Sequence, residues 1–207
     1  MRNLAHTHIF PDKLFAAVWK FFDANYWPAR YKNQTPEYLL QKGVKHCIAM
    51  TYSHKPGIAV GLNQFCADYV ARINAKYHSE RVTGLATVFP GEASATSILS
   101  DAFTSLGLKG LKLHSHVMVI SPDDSKLDEI YQTCIKYNKP ILFHVGREPD
   151  SPSHAKESHD IMHWARTETV LKRYSGASYV NSNNDDEGSG MKAGGFKFLV
   201  PHLGIGR

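Results

Sequence analysis

Twelve histidines occur in these 207 residues, and several are spaced so that they could share one chemical task. On an extended strand, side chains two apart point to the same face. Two imidazoles aimed at one point are a common start to a metal site. Two pairs have this spacing: His6 and His8 in Ala5-His6-Thr7-His8-Ile9-Phe10-Pro11-Asp12, and His114 with His116. At this histidine density chance supplies about 0.7 such pairs, so the spacing counts only if the strands carry histidines to a common rim.

The elements that must position them alternate. Leu4 to Ile9 reads as a first strand, and Asp12 to Asp23 as a helix with Leu14, Phe15, Val18, Phe21 and Phe22 at helical spacing. Thr35, Pro36 and Gly43 bracket a short helix as cap, first position and stop. Val44 to Thr51 is a second strand, and Leu62, Phe65, Cys66, Tyr69, Val70 and Ile73 mark the helix after it. Val82 to Phe89, Leu108 to His114, Pro140 to Val145 and Phe196 to Val200 are strands three to six. Between them, Ile98 to Leu106, a segment starting at Ser121-Pro122-Asp123-Asp124, and Asp160 to Tyr174 read as helices. Ser175 to Gly195, rich in Ser, Asn, Asp and Gly, has no periodicity and reads as a disordered insertion.

Such alternation implies a parallel sheet covered by helices, either open or curled into most of a barrel, with ligands at the carboxyl ends of the strands. Five of the six strand exits carry histidine: His6 and His8, then His54, then His114 and His116, then His144, then His202. Arg147, just past strand five, has the planar fork that clamps a carboxylate. Asp123 and Asp124 read as helix-start acids, and Lys112, two before His114, as a structural lysine on the same face.

Composition narrows the classes. Apolar content of 43% and charged content of 21% suit a soluble globular chain, read as one domain over residues 1–207. No apolar run approaches a membrane span and no leader pattern opens the chain. Cys47, Cys66 and Cys134 read as reduced core residues of a cytoplasmic protein. The net charge of +5 comes from scattered lysines and arginines, which argues against a nucleic-acid surface.

Three stretches resemble the amidohydrolase superfamily, in the branch called amidohydrolase family 2. They are Ala5 to Asp12; Gly110-Leu111-Lys112-Leu113-His114 running into Ser121-Pro122-Asp123-Asp124; and Ile141-Leu142-Phe143-His144-Val145-Gly146-Arg147. Pro201-His202-Leu203-Gly204 agrees at strand six. The resemblance implies an α/β fold of TIM-barrel type, incomplete here with about six of eight strands. It implies a metal-dependent hydrolase of C–N or ester bonds working through an activated water, or a non-oxidative decarboxylase on the same scaffold. His6, His8 and His144 would be metal ligands, with zinc the expected ion and manganese the other candidate. His202 would be the catalytic proton carrier, and Arg147 and His114 would bind substrate, a small molecule such as a carboxylic acid. Two positions depart from the family pattern: Leu4 stands where an acid is usual, and the aspartate of an eighth strand has no counterpart. The chain therefore reads as a member shortened at its C-terminus. A non-catalytic form that binds metal or a partner stays open, as does a homo-oligomer that covers free sheet edges.

Overall fold

A computed structural model describes residues 3–25, 32, 35–146, 163–175 and 195–201. Its strands are β1 (Asn3–His8), β2 (His46–Met50), β3 (Val82–Leu85), β4 (Leu111–His114), β5 (Ile141–His144) and β6 (Phe198–Leu199). Its helices are α1 (Asp12–Asn25), α2 (Pro36–Gln41), α3 (Ala59–Tyr77), α4 (Ala95–Thr104), α5 (Ser115–Met118), α6 (Asp128–Lys136) and α7 (Trp164–Tyr174).

The strands form two three-stranded parallel sheets, β1-β2-β3 and β4-β5-β6. A parallel bridge from Ala86 to Leu111 joins them. Its backbone bonds run from Lys109 N–H to Gly84 O, Ala86 N–H to Gly110 O and Lys112 N–H to Ala86 O, at 2.7–2.9 Å. Spatial order therefore follows sequence order through all six strands. A doubly wound sheet reverses direction at a switch point, whereas this order is that of an arc of a (β/α) barrel. The described strands do not close the circle.

Local chemistry explains the elements. Thr35 caps α2 by accepting the Tyr38 N–H, and Gly43 follows at φ +91°, a conformation glycine adopts without Cβ strain. Leu62, Cys66 and Ile73 form the buried stripe of α3. Gly110 lets β4 enter beside β5, since a Cβ there would sit 2.7 Å from the Pro140 carbonyl oxygen. The outward strand faces, with Cys47, Ala49, Leu111, Leu113, Ile141 and Phe143, join the main core beneath the helices. The inward faces carry a second cluster, Met50, Leu85 and Leu142 with Ile48 beside them, which is the lower packing of the arc.

The Ser121 helix start is corrected. Ser121 instead bonds the Asp123 carboxylate within a turn, and Asp124 caps a 3-10 turn at Ser125–Leu127 by accepting the Lys126 N–H. The α-helix begins only at Asp128. Buried Leu127 anchors that turn, so the chain enters the helix one turn later than the acids suggest. Helix α7 starts at Trp164 with His163 as its cap. The insertion expected at 175–195 lies outside the described residues except at its two ends.

Candidate active site

The site is built from strand exits. On β1, the pairing with β2 slips between Leu4 and Thr7, an irregularity at His6. Bulges of this kind re-aim side chains beside sites. Beyond it, His8 lies opposite Met50, so both face inward. His6 and His8 meet with their Nε2 atoms 2.8 Å apart.

Strands β4 and β5 place the next two imidazoles. His114 and His144 are register partners, and their rings stack with centroids 4.1 Å apart and planes 8° from parallel. The His6 and His144 rings stand 6.5 Å apart, so the two histidine pairs face each other across the mouth of the arc. Below them, Lys112 is fully buried on the same face, opposite Leu142.

Tyr52 joins the two halves. It continues the inward alternation Ile48, Met50, Tyr52 past the end of β2. Its ring meets His8 at 5.3 Å, His114 at 5.2 Å and Phe10 at 4.9 Å, all edge-on. Sequence reasoning passed over this residue; the alternation was the signal that could have found it.

A buried clamp fixes the neighbouring loop. The Asn63 side chain on α3 donates to the Thr87 carbonyl and accepts the Thr87 N–H, at 3.0 and 2.7 Å. Thr87 Oγ1 in turn accepts the Ser53 N–H at 2.9 Å. The β2 exit that bears Tyr52 is thereby tied to β3 and α3.

Electrostatics are dominated by burial. The His114 pKa lies well below its ordinary value, first through desolvation, then through the positive charge that His144 and Lys112 would place beside it. His114 is therefore neutral at pH 7. Its Nδ1 is buried with no hydrogen-bond partner among the described residues.

The donor set can be tested against a metal. Two nitrogens about 2.1 Å from one ion lie about 3.0 Å apart at a right angle and about 3.4 Å apart in a tetrahedron. The 2.8 Å between His6 and His8 is nearer the right-angled bite. Among the described residues, no three His, Cys, Asp or Glu side chains stand converged on one metal position. The pair thus fits an ion, and His144 stands beside it without completing the cage. His114 does not fit as a further ligand of that ion, because parallel stacked rings cannot point their nitrogens at one centre.

The other expected residues separate. His54 is exposed in the β2–α3 loop and apart from the cluster, and His116 is buried on α5. Arg147 and His202 lie outside the described residues. Asp123 is a structural residue, paired with Arg166 at 3.2 Å.

A parallel arc with facing histidines on its carboxyl rim places the chain in the (β/α)-barrel class of folds. The family model described as Amidohydrolase matches residues 5–175, and the chain belongs to that family. A search of curated proteins gives no match. Among solved structures, 5-carboxyvanillate decarboxylase from Sphingomonas paucimobilis has a TM-score of 0.57 at 16% identity, covering 84% of this chain and 65% of its own. 5-Carboxyvanillate decarboxylase from Novosphingobium aromaticivorans, with bound manganese and 3-methoxy-4-hydroxy-5-nitrobenzoic acid, has 0.54 at 18%, covering 72% and 52%. 4-Oxalomesaconate hydratase from Rhodopseudomonas palustris has 0.50 at 12%, covering 95% and 51%. At these identities the likeness is one of fold, and the chain spans less than two thirds of each relative's length.

Proposed function

We propose that this chain binds a divalent metal ion and removes the carboxyl group of a small, planar carboxylic acid. The observation that carries this reading is the His6–His8 pair facing the His114–His144 stack across an aromatic wall of Tyr52 and Phe10. His6 and His8 would hold the ion, with His144 as third donor, and the ion would act as a Lewis acid toward the carboxylate. Manganese is favoured over zinc by its presence in a structural relative.

The remaining work falls to the chain's own side chains. Tyr52 and Phe10 would hold the planar substrate by their ring faces and edges. Neutral His114 would line the pocket without repelling the metal, and Arg147 would orient the carboxylate. Loss of carbon dioxide leaves an electron pair on carbon, which takes up a proton; His202 is the proposed carrier.

The second reading is hydrolysis of a C–N or ester bond at the same place, which the family allows and the strand-exit motifs first suggested. The structural relatives that are decarboxylases favour the first.

The test begins with bound metal per chain, by elemental mass spectrometry on wild type and His6→Ala/His8→Ala. About one manganese or zinc in wild type, absent from the variant, is expected. A panel of aryl carboxylic acids is then assayed for released carbon dioxide, beside amide and ester substrates. A folded wild type that binds no metal ends both readings; amide or ester turnover without carbon dioxide selects the second.

A further inference from the structure

In the sequence, the exit of β3 is the one strand exit without a histidine, and Thr87, two residues past Leu85, stands in that place. Thr87 is fully buried, and its main-chain N–H and carbonyl are both bonded to Asn63. Its hydroxyl makes two further bonds. It accepts the Ser53 N–H at 2.9 Å and donates to the Lys112 carbonyl at 3.3 Å. A hydroxyl has a single proton to give, so accepting on one side and donating on the other fixes its rotation. Ser53 and Lys112 are fully buried as well, which makes both bonds stronger and their loss more costly.

The two bonds lead to opposite sides of the seam between the sheets. Ser53 directly follows Tyr52 beyond β2. Lys112 lies on β4, two residues before His114. The rings of Tyr52 and His114 then meet edge-on at 5.2 Å, so the path Tyr52–Ser53–Thr87–Lys112–His114 closes on itself. The backbone bridge of Ala86 and Leu111 joins the sheets through the main chain. The Thr87 hydroxyl adds a side-chain tie at the exits, presented from a residue that Asn63 already holds to α3.

We propose that Thr87 is a positioning residue: its hydroxyl sets the separation between the half that carries His6, His8 and Tyr52 and the half that carries His114 and His144. It thereby sets how well His144 completes a site begun by His6 and His8. That last step rests on the reading of the imidazoles as metal donors. The placing of Tyr52 against His114 does not.

The test compares wild type with Thr87→Val, which keeps the shape and removes the hydroxyl, and Thr87→Ser, which keeps the hydroxyl. Ile73→Val, in the core near the far end of α3, lowers stability without touching the tie. The His114 ring signals are followed by NMR in the metal-free chains. Zinc affinity is measured by calorimetry. Thr87→Val should move the His114 signals and weaken zinc about tenfold, as the loss of an outer support to a metal site does, with Thr87→Ser within about twofold of wild type. Ile73→Val should leave both unchanged. Signals and affinity unmoved in Thr87→Val, or moved as far in Thr87→Ser, overturn the proposal. A wild type that binds no zinc ends the metal reading, and the ring signals alone then decide the role of Thr87. Wild type also supplies a measure that needs no variant to fold. The Ser53 amide, bonded to the buried hydroxyl, should exchange with deuterated water as slowly as the Ala86 and Lys112 amides that cross the seam. Fast exchange at Ser53 with those two protected overturns the proposal.

Discussion

His114 is a base kept neutral by its surroundings, and this has a measurable cost. Its folded pKa is depressed by burial, so below the ordinary value near 6.5 the unfolded chain binds a proton that the folded chain refuses. Its contribution is least harmful above that pH, and stability falls as pH drops through 6.5 toward the folded value. His114→Phe keeps a ring against His144 and Tyr52 and removes that term. Thermal melts of both proteins from pH 7.5 to 5 should show a shallower loss in the variant; equal slopes would mean that His114 titrates as freely in the folded chain as in the unfolded one. At this scale the sequence was informative where histidine ended a strand. It was silent at Tyr52, because a tyrosine after a strand is ordinary in any core and only its place in the inward alternation distinguishes it. Nor could spacing separate His54 from His114: both stand at strand exits, but His54 is exposed in the β2–α3 loop whereas His114 is buried at the end of β4.

Among the elements, helix α3 does more than cover the sheet. Its Asn63 replaces a missing strand partner for Thr87, satisfying both the N–H and the carbonyl of a buried peptide. Asn63→Leu would leave both groups buried and unpaired, at a loss of about 2–4 kcal/mol. Chemical denaturation measures this, and a loss below about 1 kcal/mol would show that water replaces the amide. Short α5 ends at Val119, a β-branched residue at φ +51°. The left-handed region costs such a residue about 1–2 kcal/mol. Val119 is exposed, so Val119→Gly should raise the melting temperature by relieving it; an unchanged or lower value would mean glycine's extra unfolded-state freedom outweighs the relief. Helix α5 itself was not legible, since its four residues show no period. The late start of α6 was hidden for a related reason. Serine, proline and two acids suit a turn as well as a cap, and only the burial of Leu127 decides between them.

Across the whole molecule, strand order was the clearest thing to read. Strand–helix alternation already required parallel strands, and what it left open was whether the sheet reversed. The bonds from Lys109, Ala86 and Lys112 answer that by joining β3 to β4 in sequence order. Metal bound to the folded chain alone stabilises it by mass action, about 2.7 kcal/mol at a hundredfold excess over Kd. Manganese should therefore raise the melting point of wild type and leave that of His6→Ala/His8→Ala unchanged. A similar rise in both would place the ion elsewhere.

The joint between the sheets also has a bearing on motion. His6, His8 and Tyr52 ride on one three-stranded sheet, and His114 and His144 on the other. Whatever bridges the two imidazole pairs acts as a staple across the seam at Ala86 and Leu111. Breathing at that seam would pull the rims apart, and a stapled molecule would breathe less. The amide hydrogens of Ala86 and Lys112 report this directly, because each is bonded across the joint. Their exchange with deuterated water should slow when the site is filled, while amides deep within α3 keep their rate.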